Sequence, residues 1–322
     1  MNLDTVSLGR TGTKVSEVAF GTWRFGREDD DEEVEIGKER AHDLLDAYAD
    51  AGGNFIDTAD MYGDGRSEEY IGDWLADRER ENFVVASKIY WPTRDDPNGR
   101  GLSRKHLRNN IDEILERLGT DYVDLLYVHR WDDETPAEEF MRTLDGFVRE
   151  GKVNYLGTST LGPNAWKVAK ANELADKRGY EPFKLAQPRY NLANREIEGN
   201  YLEMCADYDI GVVPWSPLAG GFLTGKYSRG EQPPKGTRGA TDQQFRDSYL
   251  TDENFDVLEA VEAIAEEVDA TPAQVSLAWL THHEQVTAPI VGARTVDQLA
   301  ENLSGTEIEL TDEQFQRLAE AK

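Results

Sequence analysis

The chain has a single cysteine, Cys205, among 322 residues. No intrachain disulfide can form, which suits a reducing compartment. No apolar run approaches the ~20 residues needed to span a bilayer. The opening stretch, Met1 to Arg10, has no basic segment followed by an apolar one, so no secretory signal is expected and a cytoplasmic location is. Lysine is scarce, with 12 against 23 arginines. Basic residues total 35 against 63 acidic ones, a formal net charge of −28. Such a surface repels nucleic-acid phosphates and anionic lipid, which argues against both as partners.

The acid is not confined to a tail. It is spread through helical patterns (Asp43, Asp46, Asp50; Glu259, Glu262, Glu266, Glu267) and a loop, Glu28 to Glu33. A dispersed acidic surface with little lysine resembles that of proteins from salt-accumulating halophiles; a merely acidic mesophilic enzyme is the alternative. Molar salt shortens the Debye length to ~3 Å and relieves the self-repulsion. A fold that loosens in low salt is the expectation.

Short apolar runs alternate with amphipathic stretches. The runs are Glu17–Phe20, Asn54–Ile56, Phe83–Ser87, Tyr122–Val128, Val153–Thr158, Lys184–Ala186, Ile210–Pro214 and Ala288–Val291. Between them Ala41–Ala51 repeats apolar residues at three and four. Ser103–Leu118 opens on a capping serine and stops before Gly119, and Pro136–Glu150 carries proline in its first turn. Eight strands alternating with helices and buried on both faces predict an α/β fold, a (β/α)8 TIM barrel. An open doubly wound sheet is the runner-up. It usually carries GxGxxG after its first strand, where Gly21-Thr22-Trp23 stands here. Leu3–Leu8 and Thr13–Val15 flank Gly9 and Gly12 and predict an N-terminal β-hairpin that plugs the barrel floor. A long loop after strand seven, Ser216 to Asp252, shows no helix of normal length. Its Lys226, Arg229, Lys235 and Arg238 are a local basic excess that points either to an anionic ligand or to a solvated surface loop. The expectation is one domain over residues 1–322, as a monomer or weak homo-oligomer.

Barrel chemistry sits at the C-terminal ends of strands. Asp57 and then Tyr62 follow strand two, Lys88 ends strand three, His129 follows strand four, and Ser159 and Thr160 end strand five. Gln187 follows strand six, Trp215 strand seven, and Gly292 to Arg294 strand eight. Carbonyl reduction needs a hydride donor and a proton for the developing alkoxide. A free tyrosine, with a pKa of about 10, is a sluggish acid, and a nearby ammonium lowers that value. Lys88 could serve Tyr62 in this way, Asp57 could hold Lys88 charged inside the barrel, and His129 could orient the carbonyl or relay the proton. Each residue alone has a bland reading as surface, core edge or helix cap; four at successive strand ends are harder to dismiss.

Asn54-Phe-Ile-Asp-Thr-Ala-Asp-Met-Tyr-Gly63, Val85-Ala-Ser-Lys88, Tyr127-Val-His-Arg-Trp131 and Gly157-Thr-Ser159 resemble the aldo-keto reductases, over nearly the whole chain and in order. The branch that includes bacterial and archaeal enzymes and the potassium-channel beta subunits is the most similar. The resemblance implies an NADPH-dependent oxidoreductase that interconverts carbonyl compounds and alcohols, with Tyr62 as acid and Asp57, Lys88 and His129 as its partners. It places Ser159 and Gln187 on the nicotinamide carboxamide and Trp215 against the nicotinamide ring. Trp215-Ser-Pro-Leu-Ala-Gly-Gly-Phe-Leu-Thr-Gly-Lys226 resembles the pyrophosphate loop, with Ser216, Leu218, Gly220 and Lys226 at the phosphates. Pro289-Ile-Val-Gly-Ala-Arg-Thr-Val-Asp-Gln-Leu-Ala-Glu-Asn302 resembles the adenosine site, with Gly292, Arg294, Gln298, Glu301 and Asn302 facing adenine and the 2′-phosphate. Gly21, Thr22 and Trp23 are further cofactor contacts. Thr160 replaces the asparagine usual in the family. Arg294 is the one basic residue of the adenosine segment, so NADH stays open as an alternative to NADPH.

Other signals carry less. Gly220 to Lys226 approaches a Walker A spacing but ends in Tyr227, where serine or threonine would bind Mg²⁺. His282 and His283 are adjacent and have no accompanying ligand pattern, so no metal site is expected. Trp23, Trp91, Trp131 and Trp215 all follow strands; they either ring a pocket for small aromatic carbonyl compounds or pack loops. The rival reading is an NADPH-binding regulatory or redox-sensing subunit. The resemblance implies an altered histidine position in channel subunits, and His129 is retained here.

Overall fold

The computed structural model describes residues 2–28, 34–160 and 164–321. Residues 29–33, most of the acidic loop, lie outside the described residues.

The N-terminal hairpin pairs β1 (Thr5–Ser7) with β2 (Lys14–Ser16) in antiparallel register. Among the described residues, eight parallel strands follow: β3 (Ala19–Gly21), β4 (Phe55–Asp57), β5 (Val84–Ile89), β6 (Val123–Val128), β7 (Val153–Ser159), β8 (Phe183–Gln187), β9 (Gly211–Val212) and β10 (Ile290–Val291). They coincide with the eight runs read from the sequence. Strand order runs β10-β3-β4-β5-β6-β7-β8-β9. The ring closes where Thr287 N–H donates to the Val212 carbonyl at 2.7 Å and Ile290 N–H to that of Pro214 at 2.8 Å.

Helices α1 (Lys38–Asp50), α2 (Arg66–Leu75), α3 (Arg104–Leu118), α4 (Ala137–Arg149), α5 (Ala165–Arg178) and α6 (Asn200–Asp207) each follow a barrel strand. Ser103 caps α3 by accepting from His106 N–H, and Gly119 ends it in a left-handed conformation. The long loop holds two short helices, α7 (Arg238–Thr241) and α8 (Gln243–Tyr249). Then come α9 (Asp252–Glu267), α10 (Pro272–Thr281), α11 (Val296–Ser304) and α12 (Asp312–Glu320). Thr271 and Gln274 form a capping box at α10.

Strand alternation divides the core in two. Outward residues such as Ile56, Val85, Leu126 and Ala186 pack under the helices. Inward residues Phe55, Val84, Ala86, Leu125, Tyr127, Leu185 and Val213 fill the barrel together with Leu8 and Val15 of the hairpin. The hairpin is therefore the floor, as its sequence predicts. Its turn lies so close to β9 that a Cβ on Gly9 would stand 3.0 Å from the Gly211 backbone. The next inward positions along the same strands are polar, and they form the site.

Candidate active site

Asp57, Lys88 and Gln187 each follow an apolar inward residue by two positions, so the pleat turns them into the barrel mouth. Lys88 is fully buried. Its Nζ donates to Asp57 Oδ2 at 2.6 Å, to the Thr58 carbonyl at 2.8 Å and to the Tyr62 hydroxyl at 3.1 Å. The three bonds use the three N–H groups of an ammonium. Asp57 accepts a further bond from Gln187 Nε2 at 2.7 Å. Ser159 donates to the Gln187 backbone carbonyl at 3.2 Å and lies 3.4 Å from its Oε1. Asp57, Tyr62, Lys88, Ser159 and Gln187 are thus joined by one chain of hydrogen bonds. The link from Gln187 to Asp57 was not apparent in the sequence.

Tyr62 sits on a 3-10 turn, Tyr62–Gly65, in which Gly63, Asp64 and Gly65 have φ of 57°, 56° and 92°. Only glycine fits at 63, since a Cβ would stand 2.5 Å from the Phe25 carbonyl oxygen. Met61, Tyr62 and Gly63 line a cleft with Trp23, Arg27 and Arg66. The His129 ring lies 6.0 Å from that of Tyr62, edge to face, and its Nδ1 is buried without a partner. Thr160, in a left-handed conformation (φ 53°), donates through its hydroxyl to the His129 carbonyl. It thereby fixes the backbone of the histidine.

The electrostatics correct one expectation. Burial raises the Tyr62 phenol above its ordinary value; Lys88 opposes this and Asp57 adds to it. The ammonium limits the rise but does not reverse it. Burial alone would discharge Lys88, but Asp57 and Tyr62 outweigh it and hold the lysine above its usual range. Burial also raises Asp57, against the pull of Lys88 and Gln187. The 2.6 Å contact with the Asp57 carboxylate keeps the proton on Lys88. Burial, with Lys88 beside it, takes His129 well below its ordinary value, leaving a neutral imidazole.

The other residues singled out from the sequence lie at neighbouring strand ends, in the loop after β9 and on α11. Thr22 is buried and its hydroxyl bonds the Asp57 carbonyl at 3.0 Å and Ser67 at 2.8 Å. Gly21 meets β10, where a Cβ would stand 2.6 Å from an Ile290 methyl. Trp23 stands at the rim with the Arg27 guanidinium 3.9 Å from its ring centre. Trp215 packs against the barrel interior, and its Nε1 is buried without a partner. After it, Ser216, Ala219, Gly220, Gly221 and Gly225 all have positive φ. Successive left-handed residues turn backbone N–H groups to one side, an anion-binding arrangement. Ser216 Oγ accepts from Gly220 N–H at 3.1 Å, and Leu218 is half-buried against the core. The Gln298 side chain accepts from Arg294 N–H at 3.0 Å, and Asn302 donates to the Gly292 carbonyl at 3.3 Å. Both fasten the loop after β10. Glu301 and Arg294 are exposed.

Cations gather here despite the overall charge. Burial, then neighbouring Arg294 and Arg24, push Lys226 below its ordinary value. Burial also lowers Arg24; Glu35 supports its charge, while Arg294 and Arg238 lower it further. Arg238 pairs with Asp242 beside Gly220. Arg24 was missed in the sequence, although it directly follows Gly21-Thr22-Trp23. Arg229 does not join this group: it is bound to Asp252, Asp256 and Glu259 and ties the loop to α9. Trp131 also leaves the site and packs edge-on against Phe140 at 5.2 Å, whereas Trp91 stays beside His129 at 6.3 Å. His283 packs among Tyr190, Trp279 and Phe315.

The closed parallel barrel carries at its C-terminal mouth a phenol hydrogen-bonded to a buried ammonium, which is itself ion-paired with Asp57. Residues 17–322 match the model of the Aldo/keto reductase family, and the chain belongs to that family. It is 35% identical over 312 residues to a probable voltage-gated potassium channel subunit beta of Oryza sativa subsp. japonica, covering 94% of this chain and 90% of the relative. It is 36% identical to the uncharacterized oxidoreductase YrpG of Bacillus subtilis (95% and 92% covered). It is 37% identical to an aryl-alcohol dehydrogenase [NADP(+)] of Phanerodontia chrysosporium (88% and 76% covered). Family and relatives together support an oxidoreductase of the carbonyl-reducing kind, in a family that generally uses nicotinamide cofactors. No helix among the described residues is long and apolar enough to cross a membrane.

Proposed function

We propose that the protein reduces aldehydes and ketones to alcohols, reversibly, with NADPH. The observation that carries this is the Lys88 ammonium between Asp57 and Tyr62 at 2.6 and 3.1 Å. Bound NADPH would supply the hydride. Tyr62 donates the proton that the developing alkoxide needs, and Lys88 stabilises the phenolate left behind. Asp57 keeps Lys88 charged, and Gln187 keeps Asp57 oriented. Neutral His129 directs an N–H toward the carbonyl oxygen without competing as a proton source. Because the Tyr62 phenol is raised, the acid form persists through neutral pH. Reduction is expected to fall only as pH climbs past an ordinary tyrosine value of about 10, while alcohol oxidation, which needs the phenolate, rises over the same range.

The residues present fit a phosphorylated dinucleotide. Ser159 and Gln187 offer paired donors and acceptors for a carboxamide, and the left-handed turn after Trp215 suits a pyrophosphate. Lys226, Arg294, Arg238 and Arg24 are near enough to perturb one another's charges, and this gathering of cations supports NADPH over NADH even with Arg24 paired to Glu35 and Arg238 to Asp242. Trp23, Trp91, Met61 and Tyr62 suit an aromatic or small apolar carbonyl compound, the chemistry in the name of the aryl-alcohol dehydrogenase relative. The dispersed negative charge supports a salt-requiring protein whose melting temperature climbs with KCl; an indifferent melting temperature would remove that reading.

The names of the channel-subunit relatives favour a second reading, an NADPH-binding sensor with little turnover. NADPH absorbance followed with a panel of aldehydes and ketones, at high and low salt, separates the two. Turnover supports the reductase; tight NADPH binding with no consumption supports the sensor.

A further inference from the structure

Behind the Tyr62 turn lies a second buried polar group that the reduction chemistry leaves unused. Asp60 and Asn110 are 2% and 0% exposed, and Glu68 is fully buried. Asn110 Nδ2 donates to Asp60 Oδ2 at 2.5 Å. Arg117 Nε donates to Glu68 Oε2 at 2.7 Å, and Ser87 donates to Glu68 Oε1 at 2.5 Å. Asn110 and Arg117 lie seven residues apart on α3, two turns along one helix face. They hold the two flanks of the Tyr62 turn. Asn110 holds Asp60, whose N–H donates to the Lys88 carbonyl at 3.2 Å. Arg117 holds Glu68 and packs on Gly65, where a Cβ would stand 2.8 Å from the arginine Cδ.

The second oxygens of this clamp, Asp60 Oδ1 and Asn110 Oδ1, are both buried and have no partner among the described residues. Two carboxylates facing two cations would balance, but here Asp57 takes Lys88, Glu68 takes Arg117, and Asp60 has only an amide. We infer that Asp60 is a neutral, protonated acid: one proton on Oδ1 lets it donate to Asn110 Oδ1 while Nδ2 donates to Oδ2, so a two-bond acid–amide pair positions the Tyr62 turn without charging it. Buried polar atoms seldom go unpaired, and this proton satisfies both orphans. Burial and the neighbouring Glu68 carboxylate push the acid the same way, well above the ordinary range, against Asn110, Arg117 and the Met61 N–H. The consequence reaches Tyr62. A charged Asp60 would join Asp57 in opposing Lys88 at the phenol, whereas a neutral one leaves the ammonium's field intact. Asp60 and Asn110 are thus positioning residues, and this role rests on the reading of Tyr62 as the acid.

The test uses the full chain. At neutral pH the infrared spectrum of the parent should contain a protonated-carboxyl C=O band that is missing from Asp60→Asn. A difference that shows only a lost carboxylate band overturns the proposal. Turnover adds a second measure. Asp60→Ala should lower kcat by about 10²-fold through a displaced turn, with the NADPH dissociation constant little changed, and Asp60→Asn should recover most of that loss. The alkaline limb of the reduction profile should fall at the same pH in Asp60→Asn as in the parent; a limb displaced to lower pH means the parent carries charge there and sinks the idea. If instead Tyr62→Phe keeps its turnover, the acid assignment fails, while the infrared band still decides the state of Asp60.

Discussion

The floor and the mouth of the barrel are built from the same strands two residues apart, yet they follow opposite rules. Phe55, Ala86, Tyr127 and Leu185 face the hairpin's Leu8 and Val15 in a hydrocarbon fill. One pleat further on, about 6.6 Å along the strand, stand Asp57, Lys88, His129 and Gln187. Apart from the buried Tyr127 hydroxyl, the floor is stabilised by apolar burial that needs no specific partner; each large apolar side chain contributes about 1.5–3 kcal/mol by leaving water. The mouth is stable only as a set, because a buried ammonium requires its carboxylate and that carboxylate requires its amide. Mutations should therefore have local, graded effects in the floor and collective effects in the mouth.

Removing one charge should break the comparison most severely. Lys88→Met leaves Asp57 buried beside an alkyl chain, and losing one partner of a buried pair costs roughly 3–5 kcal/mol. Denaturant unfolding should register that loss and turnover should vanish with it; a variant of undiminished stability would mean the pair is not closed to water. Next comes the floor. Leu8→Ala should cost about 2–5 kcal/mol by cavity formation, with kcat and the NADPH dissociation constant unaltered. A change in kcat larger than the stability loss explains would show that floor and mouth are coupled. The smallest effect is expected at the rim. Arg24→Gln should weaken NADPH binding about tenfold, or 1.4 kcal/mol, and flatten its salt dependence. Unchanged affinity would remove Arg24 from the cofactor cations.

The two regions also differ in how far the sequence revealed them. The floor was legible because a short apolar run is a local signal: every such run became a strand, and the hairpin was visible in Leu3–Leu8 and Thr13–Val15. The strand-end residues Asp57, Lys88, His129 and Gln187 were legible because they end or directly follow those runs, where a barrel places its chemistry. Partnerships across the ring were not. Gln187 bonding Asp57 spans 130 residues, and Asn110 bonding Asp60 spans 50. Both depend on register and helix docking that no local pattern encodes. Local charge was equally ambiguous: Arg229 and Arg238 looked alike in the loop, but α9 supplies three carboxylates to the first. The sequence left Trp131 between lining a pocket and packing a loop, and the edge-on contact with Phe140 of α4 favours packing. Burial defeated one chemical expectation, because the phenol's loss of water outweighs the ammonium beside it.

The central claim is that the hydroxyl of residue 62, held by Lys88, is the proton source. Tyr62→Phe, assayed by single-turnover NADPH oxidation with a saturating aldehyde and by direct NADPH titration, tests it most directly. The expected result is unaltered NADPH binding with hydride transfer reduced by several orders of magnitude. Transfer at the parent rate with binding intact would contradict it.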